Sequence, residues 1–104
     1  MNEVVVFVTT SSKEEGEKIG RYLVENRLAA CANILPGVTS IFSWEGKICR
    51  EEESLVVLKT KRELFQRLAE EVRKLHSYSV PEIIAIPLVE GASSYLEWIR
   101  KNTL

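Results

Sequence analysis

Val4-Val5-Val6-Phe7-Val8 is continuously apolar and mostly β-branched, the pattern of a strand lying mid-sheet and covered on both faces. The period then changes to a helical one. Ser12 followed by Glu15 forms the pattern of a capping box. Beyond it Ile19, Leu23 and Val24 make an apolar stripe that ends near Asn26. Gly16 and Gly20, four apart inside this helix, are places where a neighbouring backbone can approach closely. An extended stretch from about Ala30 to Trp44 bends at Pro36-Gly37, and Glu45-Gly46 supplies a tight turn. The chain returns from Lys47 through Arg50-Glu51-Glu52-Glu53 into Leu55-Val56-Val57-Leu58. Thr60 and Glu63 repeat the capping pattern ahead of a helical face made of Leu64, Phe65, Leu68, Val72 and Leu75. Pro81 precedes a last strand, Ile83 to Leu88. Gly91 and a third capping pattern, Ser94 with Glu97, then introduce a short C-terminal helix bearing Tyr95, Leu96, Trp98 and Ile99. The order β-α-β-β-α-β followed by a helix is that of an α+β, ferredoxin-like sandwich, with two helices on one face of a four-stranded antiparallel sheet. Residues 1–104 read as a single domain, without linker, repeat or low-complexity segment.

A two-residue turn at Glu45-Gly46 places Trp44 opposite Lys47, Phe42 opposite Cys49 and Ile41 opposite Arg50. Cys31 then lies roughly 36 Å from Cys49, which excludes a disulfide between them. An arm of this length reaches roughly 45 Å, whereas the first strand and the long helix each need only about 20 Å. The hairpin therefore overshoots its own domain while carrying Ile41, Phe42, Trp44 and Ile48. Apolar residues on a projecting ribbon with unpaired edges predict a cyclic homo-oligomer in which the hairpin clasps a neighbour.

Charge narrows the function classes. Lys and Arg total 14 against 15 Asp and Glu, a net charge of -1, which lacks the basic footprint of a nucleic-acid binder. No apolar run exceeds five residues, far below the ~20 that span a bilayer. The N-terminal residues carry no signal-peptide pattern, and two unpaired cysteines suit a reducing compartment, so a cytoplasmic location is expected. No cofactor is expected to be required for folding.

The chemistry-bearing residues are few. His76 is the only histidine, so a metal contact by it needs partners from Cys31, Cys49, Glu82 or another subunit. Its alternative role is to cap the long helix, where the helix dipole favours it. Cys31, within Leu28-Ala29-Ala30-Cys31-Ala32, reads as a small packed thiol. The run Glu51-Glu52-Glu53 could attract divalent cations, but strand alternation sends neighbours to opposite faces, and a solvated face is the expected reading. Thr9-Thr10-Ser11-Ser12 lacks the CxxC of a metallochaperone and the glycines of a phosphate loop, and Leu55 to Lys59 lacks the aromatics of an RNA-recognition strand. No convincing nucleophile and base pair stands out, so no enzyme is expected.

Assembled, these segments resemble the CutA divalent-cation tolerance family over essentially the whole chain. The resemblance rests on Leu28-Ala29-Ala30-Cys31-Ala32-Asn33-Ile34 leading to Pro36-Gly37-Val38, on Trp44-Glu45-Gly46-Lys47-Ile48 and on Lys59-Thr60. It rests also on His76, Tyr78 and Val80-Pro81-Glu82-Ile83, and on Tyr95-Leu96-Glu97-Trp98. It implies a ferredoxin-like homotrimer with hairpins packed between subunits, in a shape shared with the PII signalling proteins. It implies also a link to tolerance of copper, Cu(II), or another divalent cation, with no established reaction. Cys31, Trp44, Lys59, His76, Tyr78 and Glu82 match family motif positions and are candidates for an intersubunit cleft, His76 being the candidate metal contact. Val8 and Leu75 stand where some family members carry a cysteine and a second histidine, and His76-Ser77-Tyr78-Ser79 departs from the family's usual His-Pro-Tyr-Glu. The alternative reading is a PII-like small-molecule sensor or scaffold.

Overall fold

The computed structural model describes residues 2–104. Its strands are β1 (Glu3–Thr10), β2 (Cys31–Trp44), β3 (Lys47–Lys61) and β4 (Ile83–Pro87), and its helices α1 (Lys13–Glu25), α2 (Phe65–Leu75) and α3 (Ser93–Lys101). All strand pairs are antiparallel, and the sheet order is β2-β3-β1-β4. β1 is central, as its composition requires. Val4, Val6 and Val8 point to one face with Val56 and Leu58 of β3, and there they meet Ile19 and Leu23 of α1 and Leu68 and Val72 of α2.

The expectation that β1 is covered on both faces holds for one face only. On the other, the rows Asn33–Val57–Phe7–Ile84 and Cys31–Lys59–Val5–Ile86 cross the sheet. Val5 and Phe7 are half-buried there, and Ile84 and Ile86 remain 51% and 49% exposed. One chain has too few helices to cover this face, and α3 reaches only one end of it.

The hairpin turn has the expected register, from Trp44–Lys47 through Ile41–Arg50. Glu45 and Gly46 both adopt positive φ, 50° and 78°, the conformation whose twist matches that of the flanking strands. At the Pro36-Gly37 bend the register shifts, so that two β2 residues stand against one of β3, and Gly37 takes φ 75° to allow it. Residues 54–61 of β3 pair with β1, whereas 47–53 pair with β2 alone. That distal ribbon carries Ile41 at 71% and Ile48 at 77% exposure, and the chain extends 44 Å along its long axis. Both cysteines are free.

Three capping expectations fare differently. Ser12 caps α1 by accepting from the Glu15 N–H at 3.1 Å, but the Glu15 carboxylate reaches past the cap to Ser11 and to Ser77. Thr60 caps no helix. It lies in β3, buried, and its hydroxyl donates to the Leu28 carbonyl at 2.6 Å, while a single 3-10 turn at Arg62–Leu64 leads into α2. Ser94 likewise caps nothing, because α3 starts one residue earlier. A tertiary acceptor competes successfully for Thr60, and pattern alone does not register it.

Candidate functional site

Alternation along β3 sets the site. Glu51 and Glu53 fall on the same side as Leu55 and Val57, away from α1 and α2, while Glu52 turns the other way to accept from Thr39 and pair with Arg50. The segment between α2 and β4 folds against this side. Between it and the ribbon lies an open groove of about 760 Å³. Trp44, Phe42, Tyr78, Glu51, Glu53 and Glu82 are among its lining residues, and no Lys or Arg is. Partial desolvation and the nearby Glu53 charge push the Glu82 carboxyl above its usual range.

His76 lies behind the groove wall with its side chain fully buried. It ends α2, its backbone N–H donating to Val72 O at 2.9 Å. Its ring is engaged on both sides: Nε2 is 2.7 Å from the Thr9 carbonyl oxygen, and Nδ1 accepts from the Tyr78 N–H at 3.0 Å. Tyr78 in turn leans on the imidazole, centroids 4.8 Å apart, and its hydroxyl donates to Glu53 Oε2 at 2.5 Å. Glu53 is only 8% exposed. Burial first, and then this bond and the surrounding carboxylates, raise the Tyr78 phenol well above its ordinary pKa. Glu15 completes the network. Its Oε2 accepts from the Ser77 N–H at 2.8 Å and stands 3.8 Å from His76 Nδ1. Burial opposes its ionisation, but the bonds from Ser11 and Ser77 outweigh that and bring its pKa to about 2.

The six cleft candidates separate within one chain. Trp44, Tyr78 and Glu82 line the groove, and His76 stands behind it. Cys31 and Lys59 pair across the sheet instead, at the other end of β2, roughly 40 Å from Trp44 along the strand. There the Lys59 ammonium donates to Asn33 and lies 3.8 Å from Cys31 Sγ. Tyr95 of α3 adjoins this pair, its phenol raised by burial and then by Cys31. Among the described residues no three His, Cys, Asp or Glu side chains converge as a metal cage. The sequence offers Glu53 only as part of the acidic run Glu51-Glu52-Glu53 and Glu15 only as half of a capping box. Alternation puts Glu51 and Glu53 on one side, whereas nothing local links Glu53 to Tyr78 or Glu15 to Ser77.

The profile of the CutA1 divalent ion tolerance protein matches residues 4–102. The chain belongs to the CutA1 family. The divalent-cation tolerance protein CutA of Thermus thermophilus is 48% identical over 101 residues, which are 97% of this chain and 98% of that protein. A solved structure of the Thermus thermophilus protein superposes with a TM-score of 0.95 over the same shares of the two chains. The chloroplastic protein CutA of Arabidopsis thaliana is 43% identical over 96% of this chain; the match spans 55% of that longer protein, so this chain is about half its length. The CutA structure from Archaeoglobus fulgidus, described as periplasmic, has a TM-score of 0.93 at 41% identity, covering 96% and 97% of the two chains. CutA1 relatives are thus named from more than one compartment. No helix here is long and apolar enough to cross a membrane, among the described residues.

Proposed function

We propose that this CutA1-family protein is a non-enzymatic, cytoplasmic homotrimer of ferredoxin-like protomers that serves divalent-cation tolerance by holding such cations in its acidic groove. The observation that carries the reading is the groove's charge: three carboxylates, Glu51, Glu53 and Glu82, and no Lys or Arg among the lining residues. Burial first and the Glu53 charge second raise the Glu82 carboxyl, and a bound cation would offset both by favouring the ionised form. The polar part of the lining is mainly carboxylate and hydroxyl oxygen, which suits a hard cation such as Mn(II), and Cys49 is the one lining group of the softer kind that Cu(II) prefers. Water, or a neighbouring subunit's side chains, would complete the coordination. The trimer draws on the uncovered apolar sheet face and the exposed ribbon, and the cytoplasmic placement on the two free thiols. The PII-like sensor reading gains no support from the relatives described above, none of which is named as a sensor.

Calorimetric titration with Mn(II) and Cu(II) tests the groove. Replacing both Glu51→Gln and Glu82→Gln, neither of which holds a structural bond to Tyr78, is expected to weaken Mn(II) binding by about tenfold or more, each partly solvated charge contributing on the order of 1 kcal/mol. An unchanged affinity would remove the groove from consideration.

A further inference from the structure

We infer that His76 is a positioning residue, a latch that holds Tyr78 and Glu53 as the groove wall, and that it ligates no metal while the latch is closed. The hydrogen-bond partners force the proton's place. A carbonyl oxygen only accepts, so the Nε2 nitrogen 2.7 Å from Thr9 O must carry a hydrogen. A backbone N–H only donates, so the Nδ1 atom facing Tyr78 N at 3.0 Å must offer its lone pair. The imidazole is therefore the neutral Nε2–H tautomer with its single in-plane lone pair already used. A metal ligand needs that lone pair free. Ligation would require the ring to release Tyr78 and to leave a site in which its side chain is wholly buried.

What the latch secures is the groove. The ring ties the end of β1 to the segment after α2, and Glu15 ties the same segment to α1 through Ser77. Tyr78, fixed at its N–H and against the imidazole face, is thereby aimed at Glu53. The cation reading of the groove therefore places the contacts on carboxylates that His76 arranges without touching the ion. This inference rests on that reading only for the ion's location. The latch itself stands on the geometry.

The full chain labelled with ¹⁵N-histidine and observed by long-range ¹H–¹⁵N correlation provides the test, with Zn(II) as the probe because it is diamagnetic and readily takes imidazole. The expected spectrum is that of the Nε2–H tautomer, unchanged when calorimetry shows Zn(II) bound. A ring nitrogen shifted to a metal-bound position would overturn the inference. Independently, His76→Ala is expected to speed hydrogen exchange of the Tyr78 amide by about tenfold or more, and His76→Gln, which retains one donor and one acceptor, to restore most of the protection. Equal exchange in all three proteins would overturn the latch. Absence of Zn(II) binding would count against the cation reading, while the tautomer and the amide exchange would still decide the latch.

Discussion

Glu15 shows how much one side chain can hold together and how that depends on pH. Its carboxylate accepts from Ser11 at the start of α1 and from Ser77 beyond α2. With a folded pKa of about 2 against an ordinary 4.5, the unfolded chain binds more protons between those values. The contribution is therefore complete above about pH 4.5 and is lost as the pH falls toward 2. Charge-assisted hydrogen bonds of this kind are worth about 1–3 kcal/mol. Glu15→Gln is expected to lower stability by that amount at pH 7 and to flatten its acid dependence, as read by urea unfolding at pH 7 and pH 3. A variant with the wild-type pH profile would show that the network is not stabilising. The Ser12 cap was legible because it is local. The second half of the Glu15 role was not, since Ser77 is 62 positions away and arrives only when α2 packs.

Among the elements, α1 is positioned by absent side chains. A Cβ on Gly20 would stand 3.0 Å from Ala32 Cβ, and one on Gly16 would stand 3.2 Å from both Thr10 Oγ1 and Val56 Cγ2. Two effects oppose each other in Gly20→Ala: helix propensity gains about 1 kcal/mol, and overpacking costs about 1–3 kcal/mol. The neighbour is a methyl carbon fixed to β2 backbone, with no rotamer to yield, so overpacking should win. A fall in Tm of a few degrees is expected by thermal unfolding, and a rise would mean that the helix can shift away from the sheet. The hairpin was legible for a similar reason. Register follows from turn length, and alternating residues have only two faces to choose from. The bulge at Pro36-Gly37 changed which residues oppose each other beyond it, so Cys31 faces Lys59. A bend was expected there, but the pairing shift depends on how β3 continues onto β1.

At the scale of the molecule, one chain leaves a hydrophobic sheet face open and a ribbon unsupported. Ile84, Ile86, Ile41 and Ile48 all remain exposed, more apolar surface than a monomer of this size ordinarily leaves uncovered. The homotrimer proposed here predicts a sedimentation mass three times the 11.8 kDa of the chain at micromolar concentration. Ile86→Glu, which places a charge mid-face, is expected to shift that mass toward the monomer while leaving the α1 and α2 core intact. A wild-type mass of one chain would refute the trimer. The sequence by itself determined what depends on neighbours along the chain: the element order, the hairpin turn and its register, and the helix-facing halves of β1 and β3. Only the tertiary structure decided which hydroxyls cap helices and which serve distant carbonyls, that one sheet face stays open, and that both nitrogens of the sole histidine are engaged. Those outcomes depend on which groups meet across folded elements, where geometry selects one partner from many that the sequence leaves equivalent.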